Sequence, residues 1–254
     1  MSFIIDGKPV EPPAGLIVKS YKEDGLFRFV NRKRHAPPNA NAVVVHETVT
    51  TSHGVTVAVL KARGLGVHLI VDHDGIVYQH ADLLTDEMWH ATQFNALSVG
   101  IETVNPYDPK FLPKTGSPWT DVIDAPWAAG ATGGRGYVVP TLAESIAVTS
   151  TLNFLTSALA NPVAIPQHWP GFQGTHRLAL GRVKADVVEN PGIHAHMYFG
   201  HADGAWLVLF AWLTMEAGLS YEDAYAKAKE LATGASSAGI DLDPYFQANP
   251  FLET

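Results

Sequence analysis

The stretch Gly192–Trp206, GIHAHMYFGHADGAW, places His194, His196, His201 and Asp203 within ten residues. Imidazole and carboxylate are the nitrogen and oxygen donors that a divalent metal accepts, and imidazole also exchanges protons near neutral pH. On an extended chain side chains alternate between faces, so His194 and His196 point the same way. That spacing fits a two-histidine metal edge, and it fits equally one ligand beside a packed neighbour. His201 and Asp203 are again two apart, in a segment that reads as a loop ahead of a helix. A third donor stands far upstream: His46 closes the apolar run AVVVH, where a strand meets its loops. His46, one of the 194/196 pair and Asp203 make three protein ligands and leave a fourth position for water, the layout of a catalytic zinc site. Zinc lowers the pKa of a water it binds to roughly 7, which supplies a nucleophile at neutral pH. The plainer alternatives are a solvated histidine-rich loop and a half-buried histidine at a strand end. Glu102, in VGIETV, is either a carboxylate on a strand's polar face or a general base whose pKa is raised by partial burial.

These residues need a frame. The chain has 254 residues, 46% hydrophobic and 17% charged, enough to bury a sizeable core. Seventeen basic against 25 acidic residues, with no basic run, argue against a nucleic-acid partner. There is no cysteine, so any metal is held by His, Asp or Glu. The longest apolar run, AWLVLFAWL (205–213), is too short to span a bilayer and reads as a buried helix, so no membrane insertion is expected. The start, MSFIIDGKPVEPPAG, lacks the basic and apolar regions of a signal peptide, which implies a protein made in the cytoplasm.

The patterning predicts strands over 41–50 and 97–104 and a hairpin of strands 67–71 and 76–79 turning at HDG. GIHAHMYF reads as a strand or strand end. Helices are expected over 56–64 (closed by Gly64), 140–159, 205–217 and 220–231, the last capped by Ser220. Residues 1–35 read as an irregular N-terminal extension, 36–233 as the catalytic domain, and 234–254 as an irregular tail. Within the domain, 105–139 reads as a Pro-, Gly- and Trp-rich insertion, whose Trp119, Trp127 and Tyr137 are candidates for a groove wall. The fold class is α/β, a mixed central β-sheet flanked by helices.

Taken in order, these pieces resemble the zinc-dependent N-acetylmuramoyl-L-alanine amidases of type 2, the family of phage endolysins, wall-recycling amidases and peptidoglycan recognition proteins. VVVHET looks like the family's first strand with its first ligand, and GVHLIVDHDGIVYQ like its hairpin S-A-H-F-x-I-x-x-D-G-x-I-x-Q. WHA (89–91) followed by NALSVGIETVN (95–105) resembles W-H-A-G…N-x-x-S-I-G-I-E. AHMYFGHADG resembles the family's closing G-H…K/H-x-D-P-G. The motifs span roughly residues 41–215, with 105–139 outside them.

The resemblance implies an amidase/peptidoglycan-recognition-protein-like fold, Zn2+ as cofactor, and peptidoglycan as partner. It puts the ligands at His46, His196 and Asp203, the catalytic glutamate at Glu102, and the oxyanion partner at His201. His196 is preferred over His194 because the small Ala195 stands where relatives carry glycine before the ligand, although the gap to Asp203 is then shorter than the family's. The family's proline after the aspartate is absent, and Gly204 follows directly. His68, His90 and Trp89 are expected to line the substrate groove, the two histidines alternatively supporting the ligands through hydrogen bonds. The implied activity is hydrolysis of the amide between N-acetylmuramic acid and L-alanine, as a bacteriolytic endolysin reaching the wall after holin-type release. The alternative is a peptidoglycan-binding module of the same fold without activity.

Overall fold

The computed structural model describes residues 1–34, 40–128, 134, 136–157, 165–173, 176–184 and 188–235. Its centre is β5 (Ala42–Glu47), buried at every position. A strand covered on both faces belongs inside a sheet, and its β-branched valines suit that place. Parallel neighbours flank it: β12 (Gly192–Ala195) on one side and β9 (Ser98–Thr103) on the other. The sheet continues through β6 (Leu69–Val71), β7 (Val77–Gln79) and β3 (Val18–Ser20), in the order β12-β5-β9-β6-β7-β3. Only the β6–β7 hairpin is antiparallel, so the sheet is mixed. Gly75, at φ +80°, turns that hairpin where the sequence reads HDG.

Alternation along the strands sorts their side chains. Val43, Val45, Val99, Ile101, Leu69, Val71, Ile193 and Ala195 face one way, into the main core. That core is covered by α2 (Leu142–Thr156) and α3 (Ala205–Met215), with α4 (Tyr221–Ala232) packed against them. Every residue from Ala205 to Leu213 is buried, as expected of a helix apolar all round. Thr141 and Glu144 form a capping box at the start of α2, and Ser220 caps α4. The opposite face carries α1 (His53–Ala62), whose Leu60 packs with Val67, Ile70, Met88 and Val104. Beside it, Ala42 and Val44 meet Ala91 and Phe94. His46 and Glu102 lie on this less crowded face.

Two expectations are corrected. Residues 1–34 are not an irregular extension: β1 (Phe3–Ile5) and β2 (Lys8–Val10) form a hairpin, and β3 adds an edge strand to the main sheet. β4 (Arg32–Lys33) pairs with β8 (Asp86–Glu87). These strands are too short to show a two-residue period in sequence. Long-range contacts hold them: Phe3 stacks on Phe154 with ring centroids 4.7 Å apart, and the Gln79 amide bonds both N and O of Ile4.

The three aromatic candidates of 105–139 do not wall a groove. Trp119, Trp127 and Tyr137 are all buried. Their polar ends are used internally, on the Glu144 carboxylate, the Ala232 carbonyl and the Glu47 carboxylate. The described part of the segment contains a small antiparallel pair, β10 (Val122–Asp124) and β11 (Gly136–Val138). Of the expected tail, residues 236–254 lie outside the described residues, as do 158–159 of the helix expected over 140–159. Among the described residues no helix is long and apolar enough to cross a membrane.

Candidate active site

The C-terminal ends of β5, β9 and β12 converge at one edge of the sheet, the edge where parallel strands present their sites. His46 and Glu102 are direct neighbours across β5 and β9. His196 begins the short 3-10 turn His196–Phe199 after β12, and Asp203 precedes α3. One candidate ligand atom from each of His46, His196 and Asp203 lies within 4.8 Å of the others. His196 Nδ1 is 3.2 Å from both Asp203 oxygens, and His46 Nδ1 is 3.9 Å from Oδ1.

His194 faces elsewhere. It is fully buried against Phe94 and Phe199, and its Nε2 lies 2.8 Å from the Asn190 carbonyl. The expected alternation between His194 and His196 ends because the strand stops at Ala195 and the chain winds into the 3-10 turn.

Asp203 is held by β5. The Glu47 amide donates to its Oδ1 at 3.2 Å, while the Gly204 amide donates to the Glu47 carboxylate at 2.7 Å. Gly204 adopts φ +83°, and a Cβ there would stand 2.0 Å from the Val45 carbonyl oxygen. Glycine at this position is what lets the chain pass so close to the strand. Glu47 also accepts from Tyr137 and Asn105. Burial nevertheless pushes its carboxyl up to about 7, against the lowering effect of those three donors.

Burial, reinforced by the Asp203 and Glu47 carboxylates, raises the Glu102 carboxyl well above the usual range. Burial likewise holds His46 and His90 well below the ordinary histidine range, so both are neutral. His201 is exposed and stacks on His196, centroids 4.1 Å apart and planes 7° from parallel. Partial desolvation, and then the neighbouring His196, lower its pKa.

A cleft of about 550 Å³ opens over these groups. Trp89 is exposed on its wall, and His90 lies at its base. His68 is not at the cleft: it is fully buried, its Nδ1 accepts from the Gly100 amide, and its Nε2 faces the Asp86 carbonyl. Packing just ahead of β6 takes the place of the expected groove contact. Tyr107 and Arg63 also line the cleft and carry no motif that would single them out. Asn95 accepts from the amides of His90 and Ala91, which ties down the Trp89–Ala91 loop. His53, His73, His80, His168 and His176 lie outside the cleft lining.

Residues 35–131 match the family model described as N-acetylmuramoyl-L-alanine amidase. The chain resembles the type 2 amidases. The match contains His46, His90 and Glu102 and takes in residues 105–131, which the motifs do not cover. No curated protein matches the chain. Among solved structures it is similar to the Clostridium intestinale endolysin amidase LysCS, at 13% identity over 74% of this chain and 83% of that one, with a TM-score of 0.41. Drosophila peptidoglycan recognition protein SA is similar at 13% identity over 59% and 75% of the two chains, TM-score 0.38. The endolysin of Thermus scotoductus bacteriophage Ph2119 is similar at 24% identity over 35% and 60%, TM-score 0.29.

Proposed function

We propose that this protein is a zinc-dependent N-acetylmuramoyl-L-alanine amidase that acts on bacterial peptidoglycan as an endolysin. The observation that carries the reading is the meeting of His46, His196 and Asp203 beside Glu102 in an open cleft. The donor set suits zinc: two imidazoles and a carboxylate, no thiolate, and a side left open to the cleft. Zinc–ligand bonds of about 2.0–2.1 Å in a tetrahedron put ligand atoms roughly 3.3 Å apart, near the 3.2 and 3.9 Å separations found here. When bound, zinc supplies Lewis-acid polarisation of the scissile carbonyl and a lowered pKa for the attacking water.

The chain's own residues do the rest. Glu102 takes a proton from the attacking water and returns it to the L-alanine nitrogen as the C–N bond breaks. A carboxyl group whose pKa is raised by burial is suited to holding that proton between the two steps. His201, which lines the cleft and is not among the three donors, stabilises the oxyanion on the lactyl carbonyl in this reading. Trp89 offers an exposed ring to the glycan or stem. The products are a free lactyl carboxylate and a stem peptide with an L-alanine N-terminus.

The test is wall lysis by the zinc-loaded protein, with and without chelator, beside Glu102→Ala. New L-alanine N-termini without new reducing sugars are expected. Lysis that survives both chelation and the substitution refutes the mechanism. Zinc binding without any lysis identifies a binding module instead. Release by a holin predicts that expression inside cells stays harmless until the membrane is permeabilised; lysis before permeabilisation refutes that part.

A further inference from the structure

The candidate ligand His46 is followed inward by a chain of hydrogen bonds with only one consistent direction. Ser98 Oγ is 2.7 Å from the Phe94 carbonyl oxygen, which can only accept, so the hydroxyl donates there. The hydroxyl's single proton is then used. His90 Nε2, 3.2 Å from the same Oγ, must carry a hydrogen and donate it. In a neutral ring that leaves His90 Nδ1 as an acceptor, and it lies 3.0 Å from His46 Nε2. His46 therefore carries its proton on Nε2 and leaves Nδ1, the nitrogen facing Asp203, with a bare lone pair.

We propose that Ser98 and His90 are positioning residues that lock His46 in its metal-binding tautomer through the relay Phe94 carbonyl–Ser98–His90–His46. His90 is thereby given a role distinct from contact with substrate. The relay is built into the strand register. Ser98, Gly100 and Glu102 alternate along β9 on the face that carries His46. Gly100 supplies the room: a Cβ there would stand 2.7–2.8 Å from three atoms of the His90 ring. Its φ is unexceptional, so space is the reason for glycine. The ring is thus seated on bare backbone between the serine that orients it and the histidine it orients. Partners of this kind raise a ligand's basicity and restrict its rotation, and their loss typically weakens metal affinity by about 10–100-fold.

The inference rests on the zinc reading above, and the experiment separates the two. Long-range 1H–15N correlation spectra of the apoprotein report which nitrogen of His46 carries the proton, with no metal present. The Nε2–H form is expected in the wild type, and a mixture of both forms in Ser98→Ala. Zinc dissociation constants, measured by chelator competition, are expected to rise about 10-fold in Ser98→Ala and toward 100-fold in His90→Leu. His90→Gln, whose side-chain carbonyl can still accept from His46, is expected to recover part of the loss. Apoprotein melting temperatures identify any variant whose fold has failed, and Ser98→Ala, which removes one oxygen, is the conservative member of the set. A His46 Nδ1–H tautomer in the wild-type apoprotein overturns the relay. So do zinc constants within about twofold of wild type in both Ser98→Ala and His90→Leu, well short of the expected loss. The expected tautomer in a protein that binds no zinc leaves the relay standing and refutes the zinc reading instead.

Discussion

Gly204→Ala probes the joint between Asp203 and β5. Gly204 sits at φ +83°, where an L side chain costs roughly 1–2 kcal/mol. The added methyl would also stand 2.0 Å from the Val45 carbonyl oxygen, an overlap that backbone must relieve by moving. The movement breaks the hydrogen bond that the Gly204 N–H donates to the buried Glu47 carboxylate, and a hydrogen bond to such an acceptor is worth roughly 1.5–3 kcal/mol. Together these give about 3–5 kcal/mol. At roughly 2–4 °C per kcal/mol for a chain of this size, the apoprotein should melt about 6–20 °C lower. Gly218→Ala is the control, because Gly218 has φ +68° but no atom lies within 4 Å of the place a Cβ would take. It should lose only the conformational part, roughly 1–2 kcal/mol. Both are read by thermal circular dichroism in chelator, followed by zinc titration. If Gly204→Ala melts no lower than Gly218→Ala, the close approach of Asp203's loop to β5 does not set its position.

Glu102→Gln should keep zinc affinity and lose roughly 10²–10⁴-fold in amide hydrolysis, measured by release of L-alanine N-termini; retained activity at near wild-type level rules out its role as base. Zinc at about 100 times its dissociation constant should stabilise the fold by about 2.7 kcal/mol, seen as a melting-temperature rise that Asp203→Ala abolishes. His68, buried and neutral, has its pKa pushed down to about 3, so the unfolded chain binds its proton first as pH falls. The stability it contributes is complete above about pH 6.5 and is lost at up to about 1.4 kcal/mol per unit between there and about pH 3. Urea unfolding of the apoprotein, followed from about pH 7 down to about pH 4, should lose stability less steeply in His68→Leu than in wild type; parallel curves contradict this. Trp89→Ala should raise the apparent KM for wall fragments without changing zinc content.

The parts of the site legible in sequence are those whose chemistry and spacing coincide. His46 and Glu102 sit on strands long enough to show their character, and parallel pairing makes them neighbours. The choice between His194 and His196 is not legible from residue types, because it depends on where β12 gives way to a 3-10 turn. That a glycine must follow Asp203 directly is not legible either, because it is a steric requirement set by the distant Val45 carbonyl. His68 illustrates a different limit: it lies on the same face as Glu102, beside Gly100 and His90, and a motif position does not say how far back along the strands the cleft reaches. Glu47 carries no signal, because its partners are Tyr137, Asn105 and Gly204, up to 157 positions away. The N-terminal strands are hidden for the same reason, since partners distant in the chain set their conformation.

The two halves of the candidate site are also separated in time. A growing chain makes His46 and Glu102 early, in strands that can pair with each other at once. The other two candidate ligands arrive much later, and His196 and Asp203 take their places only when β12 docks beside β5 and the Gly204 turn closes on Glu47. Contacts so distant in sequence are the slow ones to form. A nascent or truncated chain ending before Gly192 therefore has Glu102 and one candidate ligand but not the candidate site. On the zinc reading proposed above, metal capture is a late event in folding, and stopped-flow uptake of zinc would serve as a clock for the docking of the final strand.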